Sequence, residues 1–341
     1  MDSRSAKTED RSRRRIRRVG IILLIIALAY MIVTFLTLFI VHGIVMKGFG
    51  YEKYNSKKYL VYADVAEDYP REHFYIKSGE NNLSAYLYGK GNEEGVIIVS
   101  PGHGDANDIK IYEIRYFVDA GYEVICYDYT GYFTSEGDQF GGYTQSVYDL
   151  DALLCFVEND PYYEGKPLYL FGHSMGGYAS LAVLNMEHSI AAVVAASPFD
   201  NSKDQWQVSV KRYTGWIYPI VKPVNSLFIQ WKYGKDKDMS AIDGINHVDI
   251  PVLVLSAAED VYYGNGPSPV YEKREAITNP KCKMRLMDQP GHDHHYDYFL
   301  TDAAIAYQRN TPEEGVDKEL ILQHNDNIMQ YIIDFYKNDR K

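Results

Sequence analysis

The chain has 341 residues, 46% hydrophobic and 24% charged, with a formal net charge of −11. That balance supports one large core or two modest ones and excludes a disordered or fibrous chain. The acidity argues against a nucleic-acid partner, which proteins hold mainly through Lys and Arg at phosphates. Three scattered cysteines, Cys126, Cys155 and Cys282, are too few for a disulfide framework and read as small buried apolar residues.

The N-terminus is a separate physical object. Residues 1–18 form a basic tail whose "RSRRRIRR" places six arginines between Arg11 and Arg18. Residues 19–46 then contain no Asp, Glu, Lys or Arg, and as a helix they are long enough to cross a hydrocarbon layer about 30 Å thick. A cleaved signal peptide has a shorter apolar region, about 7–15 residues, and ends in a small-residue site absent here. Because cytoplasmic flanks carry the Lys/Arg excess, the expected topology is a single-pass anchor in the cell membrane. The tail would be cytoplasmic and everything after about residue 47 extracytoplasmic.

A Tyr-rich connector at 47–71 precedes the main domain at 72–341. "HFYIK" and "LSAYLY" read as neighbouring strands. "GVIIVS", "YEVICY", "PLYLFG", "AAVVAA", "PVLVLS" and "KMRLMD" read as buried strands of a mostly parallel sheet. Helical patterns fall between them at about 106–119, 143–158, 175–187 and 268–278, with a closing helix within 316–337. Eight strands alternating with helices imply an α/β sheet covered on both faces. The stretch 198–248 is too long for a bare loop and holds all three tryptophans, so helices forming a cap are expected there.

The chemistry concentrates in "LYLFGHSMGGYASL", a strand, then Gly172-His173-Ser174-Met175-Gly176, then a helix. Ser174 at such a turn is held strained and exposed, with glycines allowing the backbone to reverse. A serine hydroxyl needs a base to take its proton and a third group to orient that base. Asp260, just past the strand in "PVLVLSAAED", is the chosen acid, with Glu259 and Asp200 as rivals. The base must follow the last strand, where "GHDHH" offers three histidines and His292, after Gly291, is chosen. The Met175 amide, and one from "SPGHGD" assigned to His103, would hold a developing oxyanion.

"SPGHG", "CYDYTGYFTSEGD", "FGHSMGG", "IPVLVLSAAED" and "PGH", in that order, resemble the α/β-hydrolase superfamily of serine hydrolases, and within it the monoacylglycerol-lipase and serine-aminopeptidase-like branch. The resemblance runs from about 72 to about 337. It implies Ser174 as nucleophile, Asp260 as acid, His292 as base and no cofactor. The implied reaction is ester or amide cleavage through an acyl-enzyme. Pro101 stands where many relatives have histidine, and Phe133 replaces a common glycine.

A membrane-anchored esterase acting on small or lipid-like esters is therefore the leading expectation. A peptidase of the same fold would use Asp236, Asp238 or Asp243 to bind a free amine. A binding ectodomain without catalysis is the third reading. A metal held by His292, His294 and His295 is not expected, since no second His or Cys cluster completes a ligand shell.

Overall fold

The apolar runs pair into one eight-stranded sheet in the computed structural model, which describes residues 3–48, 57–312 and 314–338. The strands are β1 Arg71–Ser78, β2 Asn81–Tyr88, β3 Val96–Ser100, β4 Glu123–Tyr127, β5 Leu168–His173, β6 Ile190–Ala196, β7 Val252–Ala257 and β8 Cys282–Met287. Their spatial order is β1-β2-β4-β3-β5-β6-β7-β8. β1 and β2 pair antiparallel, β2 meets β4 antiparallel, and the remaining pairs are parallel. β3, β4, β5 and β7 are buried along their whole length, because helices cover both faces and leave no polar side to alternate with. At the edge, β8 alternates and carries Lys283 and Arg285, charges that discourage pairing with another chain.

The helices are α1 Ser3–Val45, α2 Tyr62–Val65, α3 Ile111–Asp119, α4 Gln145–Asn159, α5 Met175–Ala182, α6 Ser202–Thr214, α7 Tyr218–Tyr233, α8 Ala241–His247, α9 Pro269–Glu272, α10 Asp302–Arg309, α11 Lys318–Ile321 and α12 Asp326–Asn338. The helix expected at 268–278 is cut to α9 and a 3-10 turn at Arg274–Ala276. Asn279-Pro280 forces an extended entry into β8. Of the expected connector, residues 49–56 lie outside the described residues.

The chain divides into two compact units. A body comprises Met46–Val208 and Lys235–Lys341, and a smaller unit joins Met1–Val45 to Ser209–Gly234. The segment expected as one cap is thus divided, and α7 belongs with α1. Within the smaller unit the Tyr30 hydroxyl donates to the Ile220 carbonyl (2.6 Å). The Phe35 ring meets Phe228 and Trp231 edge-on, at 5.2 Å in each case. The α1 helix extends from the arginine tail through the apolar run, whose side chains stand exposed along most of their length.

The body's core is rich in tyrosine, and several of its hydroxyls donate to backbone carbonyls. Tyr336 on α12 donates to the Leu170 carbonyl (2.6 Å), Tyr129 to Pro101 (3.0 Å) and Tyr112 to Lys318 (2.5 Å). Past β6, the Asp200 carboxylate accepts from Lys273 (2.7 Å), Ser240 (2.7 Å) and the Ile242 amide (3.2 Å). Burial works to raise the Asp200 carboxyl, but these donors win and hold it below its usual value of 3.8.

Asp200→Asn should cost about 1–3 kcal/mol of stability near neutral pH, since it removes a charge-assisted acceptor. A carboxyl with a depressed folded pKa contributes fully above its ordinary value, and the contribution is lost as pH falls through the folded one. Urea unfolding of both proteins should show the gap closing below about pH 4.

Candidate active site

Four segments at the C-terminal ends of β3, β5, β6 and β7 build the site, together with the loop after β8. Ser174 stands between β5 and α5 with φ 55° and ψ −113°, a left-handed conformation that costs a side chain about 1–3 kcal/mol. It is held there by its amide donating to the Ala196 carbonyl (2.7 Å) and its carbonyl accepting from Tyr178 (3.0 Å). A Cβ on Gly172 would overlap the Gly176 carbonyl, and one on Gly176 would overlap the Ser100 carbonyl. The two glycines flanking the turn are therefore required by close backbone approach. Met175, fully buried, opens α5, where helical amides lack partners of their own.

The loop after β3 runs through Pro101, Gly102, His103 and Gly104, the last at φ 83°. A Cβ on Gly102 would lie 3.6 Å from His173 Nδ1, so this loop packs directly on the residue preceding Ser174. The His103 ring turns toward Tyr143, Phe140 and Tyr132, with centroids 5.6–6.2 Å away.

Asp260 is completely buried at the start of a 3-10 turn, Val261–Tyr263. Oδ1 accepts from the Tyr262 amide (2.9 Å) and Oδ2 from a histidine Nδ1 (2.5 Å). That histidine is His295. The expectation of His292 is corrected here: its Nε2 pairs with Asp302 (2.7 Å) and its Nδ1 with the Asp297 carbonyl (3.1 Å). Burial tends to lower the His292 pKa, but Asp302 and the Asp297 carbonyl outweigh it and raise it. The reason lies in loop docking. The Glu259 amide donates to the Asp293 carbonyl (2.8 Å), fixing the histidine loop against the acid loop and presenting the residue two further on. Glu259 itself is exposed, and Asp200 is committed to Lys273, so neither rival acid meets a histidine.

His295 is clamped through its backbone. Its carbonyl accepts from His173 Nε2 (3.2 Å) and from the Ser197 hydroxyl (3.1 Å), and its ring lies 4.7 Å from His173 and 4.6 Å from Tyr262. A carboxylate only accepts, so His295 Nδ1 carries a proton. His173 stays neutral: burial, reinforced by neighbouring positive charge, pushes its pKa well below the usual range. Tyr263 donates to the Ser197 carbonyl (3.1 Å). Sequence reading offered His295 only as a neighbour of His292 in the cluster and gave no role to His173, Ser197 or Tyr263.

The histidine cluster does not converge on an ion. His292, His294 and His295 turn to three different carboxylates, Asp302, Asp293 and Asp260. Elsewhere Asp151, Cys155 and His188 bring possible ligand atoms together. Both His188 nitrogens there already bond carboxylates, Asp151 and Glu158, at 2.9 Å.

A buried ion network underlies the site. Lys110 pairs with Asp105 (3.1 Å) and Glu113 (3.4 Å), and Glu113 accepts from Tyr296 (2.9 Å), the residue after His295. Burial works against the Lys110 charge, but the two carboxylates prevail and hold its pKa above the usual value.

The solved esterase from Pyrococcus furiosus superposes over 87% of this chain and all of its own, with TM-score 0.58 and 17% identity. The chain has the α/β-hydrolase fold. An α/β hydrolase from Penicillium, GrgF, matches over 80% of this chain and 99% of its own, with TM-score 0.56 and 16% identity. A family model described as serine aminopeptidase, S33, matches residues 91–243. Lysophosphatidylserine lipase ABHD12 of Danio rerio is 25% identical over 55% of this chain and 46% of its own length. The Rattus norvegicus protein is 27% identical over 51% and 40%. The chain thus spans less than half the length of these relatives.

Gly176→Ala should destabilise the body by at least about 1–3 kcal/mol, because the added methyl has no space beside the Ser100 carbonyl. The shift is read from the urea midpoint, with an unchanged slope.

Proposed function

We propose that this protein is a serine hydrolase that cleaves carboxylic esters through an acyl-enzyme. The observation that carries the reading is the pairing of buried Asp260 with His295, whose ring packs on His173, the residue before the strained Ser174 at a strand-to-helix turn. In the reaction His295 Nε2 takes the Ser174 hydroxyl proton while Oγ attacks the ester carbonyl. Asp260 holds Nδ1–H and stabilises the imidazolium that forms. The amides of Met175 and His103 donate to the tetrahedral oxyanion. Collapse expels the alcohol with the proton from His295, and water then repeats the sequence on the acyl-enzyme. No group beyond these side chains and amides is needed.

The substrate is an ester with lipid-like character, a reading supported by the similarity to lysophosphatidylserine lipases. The family description would favour a peptidase. Asp236, Asp238 and Asp243 are all solvent-exposed, however, and a carboxylate that binds a substrate amine gains most in a desolvated pocket. The α1 helix, long and apolar enough to cross a membrane between Arg11 and Val45, would anchor the chain. The arginines would keep its N-terminus cytoplasmic and place the body across the bilayer.

Ser174→Ala should abolish labelling by a fluorophosphonate probe and lower kcat/KM by about 10⁴-fold or more, and His295→Ala should lower it comparably. His292→Ala should retain turnover. Loss of activity in His292→Ala with retention in His295→Ala would overturn the assignment.

p-Nitrophenyl esters of increasing chain length should be cleaved in preference to amino-acid anilides. The reverse preference would replace the esterase with a peptidase.

A further inference from the structure

The smaller unit carries a surface that the hydrolase reading leaves unused. On α7 and the 3-10 turn before it, Trp216 is 88% exposed, Ile220 55%, Leu227 58% and Trp231 62%. At about 100° per residue, these four and Pro223 fall within roughly 80° of arc, forming one apolar stripe. The opposite face, with Val221, Val224, Asn225, Phe228 and Ile229, is the buried one. Charge in Ser209–Gly234 is of a single sign. Lys211, Arg212, Lys222 and Lys232 are all exposed, and the segment has no Asp or Glu although the chain holds 46.

The contacts with α1 fix the level of this stripe. Tyr30 meets Ile220, Phe35 meets Phe228 and Trp231, and His42 meets Tyr233, so residue numbers rise together and the two helices run parallel. Tyr30 lies eleven residues into the uncharged run that begins at Val19, about 17 Å along the helix axis. In a hydrocarbon layer about 30 Å thick that is near the middle. Ile220 shares that level, and α7 rises from there toward the far boundary. Trp231 touches Phe35 while remaining largely exposed, so the apolar surface of α1 continues onto the α7 stripe.

We propose that α7 is seated in the bilayer beside α1, its Ile220–Leu227–Trp231 stripe against the acyl chains between the midplane and the far boundary and Trp216 against them just below the midplane. On α7 itself the exposed Lys222 and Lys232 extend their long side chains toward anionic headgroups at the far boundary. This rests on the reading of α1 as a membrane-spanning helix. It gives the protein a second lipid contact made by the segment between β6 and β7.

The three tryptophans provide the test, because Trp206 is fully buried in the body while Trp216 and Trp231 lie on the stripe. The full chain is reconstituted into vesicles of phosphatidylcholine and phosphatidylglycerol, with or without bromine on the acyl chains. Brominated lipid should quench most of the tryptophan emission, and aqueous acrylamide little of it. The double variant Trp216→Phe, Trp231→Phe should lose the lipid quenching, and the single variants should assign each share. Suppose the chain stays on the vesicles through an alkaline carbonate wash, yet Trp216 and Trp231 are quenched by acrylamide or by neither agent. The stripe then faces water or another protein surface, and the proposal falls while the anchor stands. Release of the chain by carbonate would overturn the anchor and the proposal with it.

Discussion

How closely α5 approaches the ends of β3 and β5 decides everything at this site. Gly172 and Gly176 have no room for a methyl group, and that contact forces Ser174 into a left-handed conformation. Only the packing around the turn can hold a serine there. The same approach brings the β3 loop against His173, so the serine turn and the β3 loop are one mechanical piece.

A second set of bonds joins that piece to the histidine loop. His173 and Ser197, from the ends of β5 and β6, both donate to the carbonyl of His295, and Asp260, past β7, accepts from its ring Nδ1–H. Three adjacent strands thus converge on one residue of a loop that has no regular structure of its own. Beneath it, Tyr296 binds buried Glu113, which pairs with buried Lys110, and Lys110 pairs in turn with the partly exposed Asp105. Breaking one member would leave an uncompensated charge in a dry interior, a far larger loss than any exposed pair would cause.

Much of the fold was legible because its signals are local. Alternating apolar runs and helical periodicity give eight strands of a mostly parallel sheet, and continuous apolar runs such as "VIIVS" mark strands buried on both faces. The serine turn was legible for the same reason, since its glycines sit within two residues of Ser174. The base was not. "GHDHH" offers three histidines of equal chemistry, and the selection depends on the Glu259–Asp293 backbone bond, made between loops far apart in sequence. Proximity to Gly291 pointed to His292, which the fold instead ties to Asp302.

By itself the sequence determined an uncharged N-terminal helix, an alternating sheet, a strained serine between glycines and an acid past a later strand. Each follows from steric or hydrophobic rules acting over a few neighbouring residues. Only the tertiary structure decided which histidine meets Asp260, and that α7 belongs with α1. Those outcomes depend on which surfaces dock, and docking pairs residues such as Tyr30 and Ile220 that local pattern cannot relate.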